Sequence, residues 1–217
     1  MKSYPIFLVK LQDKCCILVG GGDVAERKVH SLLEVEARVT VISPSLTVGL
    51  QQLVEEGRVE LVLREYQRGD LAEAFLVIGA TDDADTNEQV WQEAVERGLL
   101  VNIVDDLARC NFIVPSLVRR GNLCLAISTG GKSPALAKRL RERLEAEFGP
   151  EYAEFVALLG DLRERVKAKY PESKERVAIW YRLVDSDIVE LIRQGRDDLV
   201  RQRVKEIIEH FDWTQCK

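Results

Sequence analysis

Three consecutive glycines, Gly20-Gly21-Gly22, stand between an apolar run, Cys15-Cys16-Ile17-Leu18-Val19, and a stretch of helical spacing that opens with Asp23-Val24-Ala25. Gly20-x-Gly22-x-x-Ala25 satisfies a pattern in which the first glycine permits a tight turn and the second lets a diphosphate approach the backbone. A small third residue then lets helix and strand pack closely. Unpaired amides at the helix N-terminus face the anion. The required context is present, with Ala25, Val29, Leu32 and Leu33 on one helical face and Glu26, Arg27 and Lys28 on the other. The expected ligand is a dinucleotide; a purely structural strand-to-helix turn is the alternative. Such a fingerprint ordinarily places Asp or Glu about 20 residues further on to hold the ribose hydroxyls. Here that place falls to Ser43, in Ser43-Pro44-Ser45, and no Arg or Lys lies between Val39 and Arg58. A 2′-phosphate has no local partner, so NAD is expected over NADP.

Two further stretches could do chemistry. Asp105-Asp106 follows an apolar run from Leu99 to Val104. Adjacent strand residues face opposite sides, so one acid at most is expected to point into a cleft. Asp105, on the side of Val101 and Ile103, could accept a proton while a hydride departs; a solvated loop acid is the plainer reading of its position. Ser128-Thr129-Gly130-Gly131-Lys132-Ser133-Pro134 runs into a helix, with Ser133 as N-cap and Pro134 at the first helical position. It mimics a phosphate loop, but Ala126 occupies the first glycine position. The residues after it show no strand to supply a magnesium-binding acid. An anion-receptive turn is the expectation. With two histidines in the chain, His30 and His210, neither a histidine metal site nor a Ser/His/Asp triad has enough parts; no metal site is expected.

The elements that must position these groups follow from periodicity. Strands over 15–19, 37–42, 59–63, 75–79 and 99–104 alternate with a helix that opens after the glycines and helices over 46–56 and 85–97, which implies a parallel, doubly wound sheet. Gly20 to Asp23, Ser43 to Ser45, Thr81-Asp82 and Asp105-Asp106 all fall at its carboxyl edge, where such sheets bind ligands. A hairpin is expected over 112–118 and 123–127, turning at Arg119 to Asn122. A helix follows to about Phe148, and beyond Gly149-Pro150 the spacing is helical throughout, the last helix running from Leu199 to Phe211.

The 217 residues, 46% hydrophobic and 31% charged, suit an ordinary folded protein. The net charge of −5 argues against nucleic acid as partner. No apolar run approaches membrane-spanning length, and Tyr4 to Leu11 is too short for a signal peptide, so a cytoplasmic protein is expected. The five cysteines lack CxxC spacing, which favours reduced, mostly buried thiols. From Leu107 to Arg141 there is no acidic residue but there are seven basic ones, so this window carries +7 and the remainder −12. Such an excess can focus the field on an anionic ligand; a solvated basic face or a subunit contact is an equal alternative.

Several segments carry a family resemblance as a set: Tyr4-Pro5-Ile6-Phe7, Gly20 to Lys28, Ala80-Thr81-Asp82-Asp83, Asn102-Ile103-Val104-Asp105, Phe112-Ile113-Val114-Pro115 and Ser128 to Pro134. In order and spacing they resemble the precorrin-2 dehydrogenase family of siroheme synthesis, in which sirohydrochlorin ferrochelatase activity is sometimes combined. Thr129 stands where some relatives have Ser, and Glu36 where Gly is often found. The resemblance implies an α/β fold with a Rossmann-like doubly wound sheet over 1–111, a small α+β dimerisation segment over 112–148 and an all-helical domain over 149–217, in a homodimer. It implies NAD against Gly20, Gly21, Gly22, Asp23, Val24, Pro44, Ser45, Thr81 and Asp82, with Asp105 as catalytic residue. Asn102, Thr129, Gly130, Gly131, Lys132 and Ser133 would face a polycarboxylate tetrapyrrole, precorrin-2, with ferrous iron a second substrate where iron is inserted. Two readings stand beside this one: dehydrogenation of another anionic small molecule, and an NAD-sensing domain without catalysis.

Overall fold

The computed structural model describes residues 3–12 and 14–209. They fall into two units, the first ending at Val114 and the second beginning at Pro115. Five parallel strands build the first: β1 (Cys15–Val19), β2 (Arg38–Ile42), β3 (Glu60–Val62), β4 (Leu76–Gly79) and β5 (Leu100–Ile103). Their order is β3-β2-β1-β4-β5. The chain builds outward from β1 on one side and returns to β1 for the other, so the order reverses between β1 and β4, where sheets of this kind open a crevice. Helices α1 (Asp23–Leu33), α2 (Val48–Glu55) and α3 (Ala84–Glu96) follow β1, β2 and β4.

β1 sits at the centre because both its faces are covered. Its two-residue period sends Cys16 and Leu18 toward Ala25, Val29 and Leu32 of α1 and Leu50 and Leu53 of α2. Cys15, Ile17 and Val19 turn to the opposite face, toward Val90 and Ala94 of α3. The sheet is therefore doubly wound, and near-continuous apolar strands are what two covered faces require. α2 begins at Val48, two residues later than the spacing predicts, because the Thr47 side chain caps it by accepting from the Leu50 amide at 3.2 Å.

The second unit opens with an antiparallel hairpin, β6 (Ser116–Arg120) and β7 (Leu123–Ile127). Phe112 to Pro115, expected to begin it, lies outside, since Pro115 has no amide to give a ladder. The turn shortens to Gly121-Asn122, with Gly121 at φ 56°. α4 (Pro134–Glu147) has Ser133 as N-cap, accepting from the Leu136 amide at 3.2 Å, and Pro134 in its first turn, as the sequence predicts. α5 (Glu151–Lys169), α6 (Ser173–Val184), α7 (Ile188–Arg193) and α8 (Asp197–Glu209) share a core that includes Phe155, Val166, Ile179, Leu183, Ile188 and Ile208. The expected end of the last helix at Phe211, and His210, lie outside the described residues. No helix among the described residues is long and apolar enough to cross a membrane. Cys15 and Cys16 are buried, Cys110 and Cys124 half-buried, and none of the four is in a disulfide; Cys216 lies outside the described residues.

Candidate active site

The three glycines have three different tasks. Gly20, at φ 121°, donates to the Ile42 carbonyl at 2.9 Å, and a Cβ there would overlap the Ala80 carbonyl oxygen. A Cβ on Gly21 would overlap the Ser45 carbonyl oxygen. Gly21, which the pattern leaves unspecified, is thus required by the loop after β2. Gly22 is the N-cap of α1 without a capping side chain, and a Cβ on it would meet nothing within 4 Å. Ala25, fully buried, supplies the close packing of helix on sheet. The amides of Asp23, Val24 and Ala25 precede the first helical bond, from Glu26 N to Gly22 O at 3.0 Å, and so have no partner within the helix. Open space over Gly22 beside unpaired amides fits the diphosphate of a dinucleotide.

The neighbouring loop is stitched to this turn. Thr47 donates its amide to Gly21 O at 2.9 Å and its hydroxyl to the Glu26 carboxylate. Ser43, at the position expected of the ribose-binding acid, is buried and donates its hydroxyl to Ser45 O at 2.7 Å. It serves its own loop, which leaves Pro44 and Ser45 exposed at the edge. One strand over, just past β3, Arg64 makes a two-point ion pair with Asp70, both contacts 2.7 Å. Its guanidinium holds the Asp70 carboxyl below the usual carboxylate range, and is itself neutralised.

After β4, Thr81 accepts from the Asp83 amide at 3.2 Å, and Asp83 caps α3 through the Thr86 amide at 3.0 Å. Asp82 is exposed. Asn87 donates to the Thr81 carbonyl at 2.8 Å, while its Oδ1 is buried beside Gly79 without a partner among the described residues. The sequence reading passed over Asn87, which looks like any polar helix residue until the first turn of α3 is placed beneath the loop.

Strand pairing does not decide between the two acids after β5, as the spacing had suggested, because the strand ends at Ile103. Asp105 lies in a turn at φ 60°, the left-handed region, where aspartate is among the few tolerated side chains. Asp106 is engaged: Oδ1 accepts from the amides of Ala108 and Arg109 at 3.1 and 3.3 Å, and Oδ2 pairs with Arg109. The Arg109 guanidinium holds its carboxyl below the ordinary aspartate range. Asp105 is exposed with no hydrogen-bond partner among the described residues. Half-buried Lys28 of α1 lies in its field: burial is the main cause that lowers this amino group below the usual lysine range, Arg27 adds to it, and Asp105 opposes it. Of the pair, Asp105 is the one whose carboxylate is unengaged among the described residues. Asn102, expected to meet substrate, donates to Phe112 O at 3.0 Å and to Cys110 Sγ at 3.4 Å, so its amide nitrogen ties the chain to itself.

In the second unit, Gly130 and Gly131 both take positive φ, 61° and 77°. Thr129 accepts from the Ser133 amide at 3.1 Å with its hydroxyl and from the Lys132 amide at 3.1 Å with its carbonyl. The turn is thus built largely from its own bonds. The basic window is less free than its count: Arg109 is paired in the first unit, Arg120 donates to the carbonyls of Phe148 and Glu145, and Arg139 and Arg141 pair with Glu142 and Glu145. Arg119, Lys132 and Lys138 are exposed, with no side-chain partner among the described residues.

Comparison with known proteins places this geometry. A family model described as NAD(P)-binding matches residues 7–116, one for the sirohaem biosynthesis protein central region matches 120–147, and one for the sirohaem synthase dimerisation region matches 151–208. The name of dimerisation region therefore falls on the helices, whereas the sequence reading attached it to 112–148. Siroheme synthase of Thioalkalivibrio sulfidiphilus is 40% identical over 96% of this chain and 42% of its own. Siroheme synthase 1 of Aeromonas salmonicida is 43% identical over 86% and 40%. The chain spans less than half the length of these curated relatives. A solved structure of SirC, a precorrin-2 dehydrogenase, is 26% identical and superposes with a TM-score of 0.77 over 94% of this chain and all of the other. With the first model covering half of the chain and the others following in order, the chain belongs to the NAD(P)-binding family of siroheme synthesis that these models describe.

Proposed function

We propose that this chain is an NAD-dependent dehydrogenase of precorrin-2, giving sirohydrochlorin. The observation that carries the proposal is an unengaged aspartate, Asp105, at the same sheet edge as an open Gly22 turn with unpaired amides. The reaction removes two hydrogens from the substrate, one as hydride and one as proton. NAD, when bound, supplies the hydride acceptor. The amides of Asp23 and Val24 hold the diphosphate, Ser45 and the loop backbone at Pro44 hold the ribose, and Thr81 and Asp82 border the nicotinamide half. Asp105 takes the proton. NAD is favoured over NADP because no Arg or Lys lies in the sequence between Val39 and Arg58, and Arg64, just past the neighbouring strand β3, is already paired with Asp70.

Thr129 to Ser133, with Arg119, Lys132 and Lys138, receive the carboxylates of the macrocycle, and Asn102 contributes its side-chain carbonyl, which has no donor among the described residues. The division at 111/112 and 148/149, and a cytoplasmic homodimer, belong to the same reading. Insertion of ferrous iron would ask Asp105 to accept the protons that leave the ring nitrogens; sirohydrochlorin with ferrous iron, followed by absorbance, tests that activity separately. The principal test is anaerobic mixing of protein, NAD and precorrin-2. Stoichiometric reduced nicotinamide is the expected result. NAD binding without turnover would overturn the proposal in favour of a sensor, and turnover of another anionic substrate alone would reassign it.

A further inference from the structure

Asp105 has neither glycine's freedom nor a hydrogen bond of its own among the described residues, yet it stands at φ 60°. Such a conformation persists when its surroundings over-determine it, and here they do. The Asp106 amide donates to Ile103 O at 3.2 Å and closes the turn around Asp105. The single Cys110 S–H is shared between Ile103 O at 3.3 Å and Asp106 O at 3.1 Å. Asn111 runs beside the edge strand, accepting from Val101 N at 2.8 Å and donating to Leu99 O at 2.7 Å.

One side chain joins this local frame to the next helix. Arg109 binds the Asp106 carboxylate with Nη1, donates from Nε to Glu88 Oε2 at 2.6 Å, and lies 5.9 Å from the centre of the Trp91 ring. Glu88 and Trp91 are half-buried residues of α3, whose core residues Val90 and Ala94 are packed on the sheet. The turn is therefore fastened at one end to its own strand and at the other to a helix anchored in the core.

We infer that Arg109 is a positioning residue for the proton transfer: bridging Asp106 to Glu88 and Trp91, it holds the left-handed turn that presents Asp105 at the sheet edge. The inference rests on the reading of Asp105 as proton acceptor. A guanidinium suits the task because its planar fork serves two carboxylates at once while its face meets an aromatic ring, which a lysine cannot reproduce. Displacement of a reacting group by about 1 Å costs up to about a hundredfold in rate, so the effect belongs in kcat and not in cofactor binding.

The test compares Arg109→Gln, Arg109→Lys, Asp106→Asn and the double variant Arg109→Gln/Asp106→Asn in the full chain, with Tm, NAD Kd, precorrin-2 KM and kcat measured for each. The expected result is a loss of kcat on the order of ten- to a hundredfold in Arg109→Gln and Asp106→Asn, with NAD Kd within about twofold. Arg109→Lys recovers part of the loss, and the double variant is no worse than either single, as residues acting as one unit require. If Arg109→Gln does not fold, the same comparison of Arg109→Lys and Asp106→Asn decides. Wild-type kcat in the folded variants, whether or not Tm falls, overturns the inference and leaves Arg109 a structural anchor. Asp105→Ala with wild-type kcat overturns the reading beneath it as well, whereas an inactive Asp105→Ala beside a fully active Arg109→Gln overturns the positioning role alone.

Discussion

A left-handed aspartate costs the fold on the order of 1–3 kcal/mol, and Asp105 has no hydrogen bond among the described residues to offset it. That cost is what a group retained for chemistry and not for stability would carry. Asp105→Asn keeps the shape and the tolerance of positive φ, so its Tm is expected to stay within a few degrees of wild type while turnover falls by about two to four orders of magnitude, the usual worth of a positioned base. Thermal melts beside kcat separate the two effects. The glycines give a second residue-scale prediction. Gly22→Ala is expected to fold with unchanged Tm, since its Cβ meets nothing, but to weaken NAD binding by about tenfold or more. Gly21→Ala would press on the Ser45 carbonyl and lower Tm. Equal stability losses at both positions would contradict the division of tasks. The glycine pattern was legible in the sequence because backbone conformation alone imposes it; Asp105 was singled out by strand side and by resemblance, but what separates it from Asp106 in the structure is a turn that strand alternation does not govern.

At the scale of elements, the parallel sheet could be read from apolar runs and helical spacing, and each expected strand of the first unit exists. What escaped reading were the polar ties between elements distant in sequence. Glu93 of α3, 1% exposed, accepts from Tyr66, from the Gly69 amide at 2.8 Å and from Arg97 at 2.7 Å. Burial alone would raise its carboxyl; these donors outweigh that and hold it below the usual glutamate range. A depressed folded value means that the stabilisation is fully present above the unfolded value of about 4.3 and is lost as pH falls through the folded one. Glu93→Gln is therefore expected to lower Tm at neutral pH, by roughly 1–3 kcal/mol of stability, and to flatten the acid limb of the Tm–pH curve. Parallel curves for the two proteins would show that Glu93 is not charged in the fold. The hairpin's late start at Ser116 is a simpler lesson: the apolar run over 112–114 reads as strand, and Pro115 ends the possibility of pairing through it.

For the whole molecule, net charge misled less than its local excess. Four of the seven cations between Leu107 and Arg141 are spent on carboxylates or carbonyls, so charge counting overstated the field available to an anionic substrate. Charge reversal of Lys132 or Lys138 is expected to raise the KM for a polycarboxylate several-fold with NAD affinity unchanged, and the same substitution at paired Arg139 to do less. The match of residues 151–208 to a dimerisation region leads to the expectation that sedimentation finds twice the chain mass of 24.6 kDa; a monomer at micromolar concentration would contradict it. The central claim, that Asp105 takes the proton released as hydride leaves precorrin-2, is tested most directly by single-turnover formation of reduced nicotinamide under NAD saturation in wild type and Asp105→Ala. The account predicts tight NAD binding by both and a rate slower by two orders of magnitude or more, about the loss of one general base, in the variant; equal rates would contradict it.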